Sequence, residues 1–251
     1  MIIYKSSEIE TIHLESTDST NSWAKRECSR FRSGKIYCVV ADAQTAGRGR
    51  LGRKWVSPEG KNLYASVVFT LPLSVVFLPN LGQILILSAA KVLEQLGFDP
   101  KIKWPNDLLL DGKKVAGVLS EATTCEDHLV LIMGVGLNLN MTLDELAAID
   151  QPATSLFSLT EKTWSRDDIL KLILNQFVHY LNSVQVSGFE PLHPAFEKFL
   201  AHKGKKITVH DGLKTIEGIC EGIAPDGRLK LKISTGETLL LSAAEITKAS
   251  S

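Results

Sequence analysis

The sequence predicts an α+β protein: a mixed sheet flanked by helices, followed by a small C-terminal β-barrel or sandwich. Three observations predict it. Up to about residue 200, runs of β-branched and aromatic residues alternate with helical stretches. Asp111-Gly112 separates two of those runs, and Asp-Gly is a strong short-range hairpin signal, so part of the sheet is antiparallel. Beyond Lys203-Gly204 the chain changes to four short strands divided by tight glycine turns.

The elements follow in order. Residues 20–30 read as a short helix, with Ser19 or Thr20 available to cap it. IYCVVADA (36–43) reads as a strand. Residues 44–62, rich in Gly, Arg and Lys and carrying Pro58, read as a loop. LYASVVFTL (63–71) alternates poorly but is rich in β-formers, the pattern of a buried strand. Residues 80–96 read as a largely buried helix ended by Gly97. DLLL and KKVAGVLSEA form the hairpin, and LVLIMGVGLNLN (129–140) is a further strand. Residues 166–186 form an amphipathic helix whose apolar residues include Ile169, Leu170, Leu172, Ile173, Phe177, Tyr180 and Leu181. KKITVH, KTIEGICEGIA, RLKLKI and ETLLLS are the terminal strands, separated by Asp211-Gly212, Asp226-Gly227 and Thr235-Gly236. The expected division is 1–203 for a core domain and 204–251 for the small β unit.

Composition narrows the function classes. A chain of 251 residues buries enough surface to hold a core without disulfides or metal. Lys plus Arg is 28 and Asp plus Glu is 28, which excludes a global polycation that coats nucleic acid. Cys28, Cys38, Cys125 and Cys220 show no CxxC spacing and no neighbouring His at zinc-finger spacing, so a structural zinc site is not expected. Scattered thiols fit a reducing compartment. MIIYKSSEIE lacks the apolar core of a signal peptide, and no apolar run approaches the ~20 residues of a membrane span. A cytoplasmic protein is expected.

Five segments could carry chemistry. GRGRLGRKW (47–55) matches the letters GxGxxG, but Trp55, Val56, Ser57 and Pro58 prevent a helix from starting there, and no acidic residue follows at the dinucleotide-binding distance. Its charge is more telling: Arg48, Arg50, Arg53, Lys54 and Lys61 face only Glu59 within residues 44–61. Gly47, Gly49 and Gly52 let backbone N–H groups approach an anion, and arginines add forked donors; a solvated loop is the plain alternative. KWPND (103–107) puts Lys101 and Lys103 on one face of an extended segment, with Asn106 and Asp107 at a strand start; an Asx turn is the alternative. In KKVAGVL (113–119), Lys114 against an apolar face needs an anionic partner or an exit to water, and Gly117 permits close approach; an edge-strand lysine is the alternative. GVGLN (134–138) clears one sheet face with alternate glycines and presents Asn138, or is a bulged strand end. DSTN (18–21) is a helix cap or a polar head-group site.

Together and in this order, DSTN, a Gln before GRGRLGRKW, then KWPND, KKVAGVL and GVGLN resemble the biotin protein ligase family, from about residue 12 to the C-terminus. The resemblance implies a mixed sheet flanked by helices, similar to class II aminoacyl-tRNA synthetases, with a small C-terminal β-barrel. It implies a two-step reaction: biotin and MgATP give biotinyl-5′-AMP and pyrophosphate, and a lysine of a biotin carboxyl carrier domain then takes the biotin and releases AMP. Biotin, ATP and Mg2+ are thus the implied ligands.

Residue by residue, the resemblance puts Ser19, Thr20, Asn21 and Gln44 on the biotin ring system. Gly47, Arg48, Gly49 and Arg50 close over biotin and adenylate. Lys114, beside Gly117, lies between the biotin carboxylate and the α-phosphate. Trp55 covers the adenine, Asn138 hydrogen-bonds it, and Lys103, Asn106 and Asp107 line the nucleotide site. Asp107 is further expected to orient or deprotonate the incoming lysine. The catalytic set is then Lys114, Arg48, Arg50, Lys103 and Asp107. The glycine loop is expected to be mobile when empty and to close on its ligand. Some family members carry an N-terminal helix-turn-helix and act as DNA-binding repressors; only 17 residues precede Asp18 here, so the monofunctional kind, without DNA binding, is expected. Members also dimerise sheet to sheet, which leaves a homodimer open. The alternatives are a lipoate or octanoate ligase, which shares the fold, a non-enzymatic nucleic-acid-binding module that uses the loop arginines and Trp55, and a catalytically dead biotin sensor, which would need a lost lysine or arginine where Arg48, Arg50, Lys103 and Lys114 are all present.

Overall fold

The computed structural model describes residues 3–72, 80–125 and 128–250. Seven strands form the main sheet: β1 (Glu10–Thr17), β2 (Ile36–Gln44), β3 (Leu63–Pro72), β4 (Lys101–Lys103), β5 (Asp107–Leu110), β6 (Lys113–Cys125) and β7 (His128–Leu137). Their order is β1-β2-β3-β7-β6-β5-β4. β1 and β2 are parallel, joined through helix α1 (Thr20–Arg26), and the other neighbours are antiparallel. The sheet is mixed, as the hairpin signal required. At that hairpin Asp111 and Gly112 both take positive φ, 49° and 74°, which matches the twist of the flanking strands.

The poor alternation of LYASVVFTL has a direct cause: the strand is covered on both faces. Leu63, Ala65, Val67 and Phe69 enter the large core under α2 (Leu81–Gln95) and α5 (Arg166–Ser187). Val68 joins a smaller cluster with Ala24, Tyr37, Val39 and Ile132 on the α1 side. Tyr64 and Ser66, alternating with the first set, face that second side too. Most of α2 is buried, which explains why its sequence lacks a polar face. α5 is amphipathic, begins at Ser165, whose side chain accepts from Asp168 N, and ends at Gly188 with φ 70°. Three short helices, α3 (Leu143–Leu146), α4 (Leu156–Thr160) and α6 (His193–Phe199), complete the α-helices among the described residues.

The terminal unit has five strands, one more than expected: β8 (Lys206–His210), β9 (Thr215–Ile223), β10 (Leu229–Lys232), β11 (Thr238–Leu241) and β12 (Glu245–Ala249). They form an antiparallel sheet in the order β11-β10-β9-β8-β12. The expected barrel is not closed: β11 and β12 are the sheet's ends and do not pair among the described residues. The start of β12 is engaged elsewhere, on the loop of the main unit described below. The terminal sheet shares the main core, because Ile207, Val209, Leu229, Leu231 and Ile246 belong to the same apolar cluster. Trp104 Nε1 donates to Gly227 O at 3.0 Å across the junction.

Candidate active site

The α1 face of the main sheet carries a cleft of about 890 Å3, counting its open mouth. Its floor is a row of residues paired across five strands: Tyr64 of β3 with Gly136 of β7, Gly136 with Gly117 of β6, Gly117 with Asp107 of β5, and Asp107 with Lys103 of β4. Paired residues share a sheet face, so three of the motifs read from sequence meet in one line. The two central glycines leave a trough, which other side chains fill. A Cβ on Gly136 would come within 2.4 Å of the Trp55 indole, and one on Gly117 within 3.1 Å of Lys114 Cε. A parallel row, Ser66–Gly134–Leu119, holds Asn21, whose Oδ1 would lie 2.4 Å from a Cβ on Gly134.

Lys114 finds the anion its apolar strand demanded. Its Nζ is 2.8 Å from Asp107 Oδ1, with both side chains mostly shielded from water, and 5.5 Å from the Trp55 ring centroid. The backbone of Lys114 is held from outside the hairpin, with its N–H on Pro152 O and its C=O accepting from Thr154 N. Lys103 is half buried. Burial pushes its pKa below the ordinary lysine value, against the opposing pull of Asp107 and Glu245, while Lys114 and Arg53 push it down further. His202 is likewise held below its usual value by burial and by Lys103.

The basic loop crosses the cleft as two limbs. Trp55 N donates to Gly47 O at 2.8 Å and Gly49 N to Arg53 O at 2.7 Å. The tip carries Leu51, 76% exposed, at φ 55°. Arg48 Nη2 donates to Glu121 Oε2 at 2.9 Å, Arg50 Nη1 to Asn106 Oδ1 at 2.9 Å, and Arg53 pairs with Glu245. Arg50 also reaches Ala244 O at 3.4 Å. The loop is therefore pinned by the main sheet and by the terminal sheet together.

At the α1 end, Gln44 Oε1 accepts from Thr20 N at 2.9 Å, satisfying one of the free amides at the helix start. Gln44 Nε2 donates to Ser57 Oγ at 3.0 Å. Ser19 stands at the N-cap position but its side chain makes no capping bond, so its hydroxyl remains available in the cleft wall. Asn21 Nδ2 donates to Leu119 O and Glu121 Oε2, and its Oδ1 lies 2.6 Å from Ser66 Oγ.

Of the residues that the resemblance assigns to the site, Ser19, Thr20, Asn21, Gln44, Arg48, Gly49, Arg50, Trp55, Lys103, Asn106, Asp107, Lys114 and Gly117 line the cleft. Two do not. Gly47 packs limb against limb, since a Cβ there would come within 2.6 Å of Trp55 O. Asn138 is buried behind the wall; its Nδ2 donates to Thr154 O at 3.1 Å and its Oδ1 accepts from Asn62 Nδ2 at 3.4 Å. Each end of its amide thus makes one hydrogen bond within the protein, which leaves one N–H and one oxygen lone pair of Asn138 uncommitted. The sequence reading missed Glu121, Glu245, Ser66 and Tyr64. Glu121 shares the two-residue period of Gly117 and Leu119 and was findable on that ground. Glu245 lies far along the chain, with no local signal.

A glycine-cleared mixed sheet crossed by a basic loop defines the class of protein described as the biotin/lipoate A/B protein ligase family, whose model matches residues 13–138. The chain belongs to that family. A second model, the biotin protein ligase C terminal domain, matches residues 202–248. The chain is similar to the biotin–[acetyl-CoA-carboxylase] ligase of Paracoccus denitrificans, 32% identical over 240 residues, covering 92% of this chain and 97% of that protein. It is also similar to the bifunctional ligase/repressor BirA of Escherichia coli, 32% identical over 217 residues, covering 86% of this chain. The chain spans 67% of the length of that protein and 64% of its Bacillus subtilis namesake. Among solved structures, the Aquifex aeolicus biotin protein ligase in complex with biotin and ATP superposes with a TM-score of 0.82 at 31% identity, covering 95% of this chain and 99% of that one.

Proposed function

We propose that the chain is a biotin–protein ligase that activates biotin with MgATP to biotinyl-5′-AMP and transfers biotin to a lysine of a biotin carboxyl carrier domain of a biotin-dependent carboxylase. The observation that carries this reading is the Lys114–Asp107 pair on the trough floor, roofed by Trp55 and the arginine loop, in a chain so similar to a ligase described with biotin and ATP. The match of residues 202–248 favours biotin over lipoate or octanoate.

In the first step a biotin carboxylate oxygen attacks the α-phosphorus of ATP and pyrophosphate leaves. Anion must approach anion, so the site needs cations aimed at the transferring phosphorus. Lys114, Arg48, Arg50 and Lys103 supply them from the floor and the roof. Ser19, Thr20, Gln44 and the Asn21 scaffold form the wall for the biotin rings. Trp55 Nε1 is buried with no hydrogen-bond partner, which fits a nucleotide base lying beside the indole. Mg2+ would travel with the nucleotide's phosphates, as that ion commonly does.

In the second step the acceptor lysine's amine attacks the acyl carbon and AMP leaves. When Lys114 turns from Asp107 to the acyl phosphate, the freed carboxylate can orient the incoming ammonium and take its proton. The loop keeps water from the mixed anhydride. We read residues 1–203 as the catalytic unit, similar to class II synthetases, and 204–251 as the unit that braces the loop. A second copy of the chain would add at the edge strand β1, since Leu200 and Ala201 already occupy the outer edge of β4.

The test is single-turnover adenylate formation with MgATP and a mixture of biotin, lipoate and octanoate, read by mass spectrometry of the bound fraction with pyrophosphate release. Biotinyl-AMP alone is the expected product. Lipoyl- or octanoyl-AMP, or no adenylate from folded protein, overturns the reading.

A further inference from the structure

Glu121 touches none of the reacting groups, yet it joins two parts of the site that the sequence holds far apart. On β6 it lies two residues beyond Leu119, opposite Ile132 of β7, and so one step past the ring end of the cleft. Its carboxylate accepts from Asn21 Nδ2 at 2.9 Å and from Arg48 Nη2 at 2.9 and 3.2 Å. Asn21 belongs to α1 and is buried in the space that Gly134 leaves; both of its N–H donors are spent, on Glu121 and Leu119 O. Arg48 belongs to the loop limb that pairs with Lys54. Glu121 thereby ties the loop to the biotin wall through one charge. The Glu121 side chain is 22% exposed and that of Arg48 is 42% exposed, so the tie is open to water on the arginine side and can exchange. That suits a latch, whereas a sealed ion pair would hold permanently.

We propose that Glu121 is a positioning residue: it orients Asn21 and latches Arg48, so that the glycine loop stays shut over the ring end of the bound ligand. Removing its charge loosens the ligand and its adenylate without slowing the chemical step. The inference rests on the biotin-ligase reading only for the identity of the ligand; the latch itself is a property of the chain.

The experiment compares Glu121→Gln, Glu121→Asp, Arg48→Ala and the Arg48→Ala/Glu121→Gln double variant, with urea midpoints as the check on folding. Without ligand, tryptic cutting at Arg50 and Arg53 should be about tenfold faster in Glu121→Gln, the factor that accompanies one charge-assisted hydrogen bond. Glu121→Asp should restore most of the protection, and the double variant should cut no faster than Glu121→Gln. With ligand, Glu121→Gln should raise the biotin KM and the release rate of biotinyl-AMP by about tenfold, with kcat for pyrophosphate release nearly unchanged. Wild-type cutting and wild-type adenylate retention in Glu121→Gln overturn the proposal, as does a fall in kcat with KM unchanged. If Glu121→Gln does not fold, Arg48→Ala carries the ligand-free cutting comparison alone: faster cutting than wild type supports the latch, and wild-type cutting overturns it. A wild-type protein that makes no biotinyl-AMP would sink the biotin reading, while the cutting rates would still decide the latch.

Discussion

Lys114 and Asp107 meet at 2.8 Å because β6 has one residue too many. Opposite β5, Ala116 pairs with Leu108 and Lys114 with Leu109, so Val115 is extra. Lys114 and Gly117 are three apart and would face opposite sides of a regular strand. The bulge turns both to the cleft, and Pro152 and Thr154 take up the backbone groups of Lys114.

Lys114→Ala removes the floor cation. Adenylate formation should fall by about 100-fold or more, the scale for losing one preorganised electrostatic contact. The fold should survive, since the side chain borders the cleft. Pyrophosphate release in a single turnover, beside a urea melt, reads both. A normal rate in a folded variant would remove Lys114 from the reaction.

Gly136→Ala puts a methyl where the Trp55 indole lies, 2.4 Å from its Cε2. The lid must shift, and nucleotide binding should weaken by about tenfold or more, because small misplacements in such sites are expensive. Biotin binding measured without ATP should hold. Trp55 fluorescence, isolated by subtraction of a Trp55→Phe background, should show the displacement; an unmoved signal with normal ATP affinity would count against the lid.

The lowered pKa of Lys103 has two consequences of opposite sign. Its charged form is penalised by burial, so a stability cost is fully present below its folded pKa and fades as pH rises toward the ordinary value of 10.5. The positive charge that the proposed reaction draws on fades over the same interval. Adenylate formation should therefore decline on the alkaline side before an ordinary lysine would deprotonate, and Lys103→Arg should move that limb to higher pH. A limb at the same pH in both proteins would assign it to another group.

Arg53 pairs with Glu245 of β12, so the terminal sheet helps to hold the loop. Glu245→Ala should raise the ATP KM severalfold with little change in the urea midpoint, as expected for a partly exposed pair. Separately, biotin plus ATP should slow tryptic cutting at Arg50 and Arg53 in the wild-type protein. Equal cutting with and without ligand would argue against loop closure.

Much of this was legible because it is local. Asp111-Gly112 set the hairpin, the glycines of GVG and AGV announced a cleared face, and the crowding of arginines between 48 and 53 marked the loop that crosses the cleft. The strand β1 escaped notice because ETIHLEST is an edge strand with a mostly polar surface. The barrel was expected from four short strands; the sheet has a fifth, β12, and its two ends, β11 and β12, do not pair among the described residues.

The sequence by itself determined which residue types were present in which order, and hence the family, the mixed sheet and the set of cations and glycines from which a site could be built. Only the tertiary structure decided which of them meet. Register places Tyr64, Gly136, Gly117, Asp107 and Lys103 in one row across five strands, and pairing between distant strands has no local signature. The bulge at Val115 reverses the face of Lys114. Asn138 sits behind the cleft wall, held by Asn62 and the Thr154 carbonyl, because a buried amide is placed by the partners that satisfy it, and those partners come from distant segments.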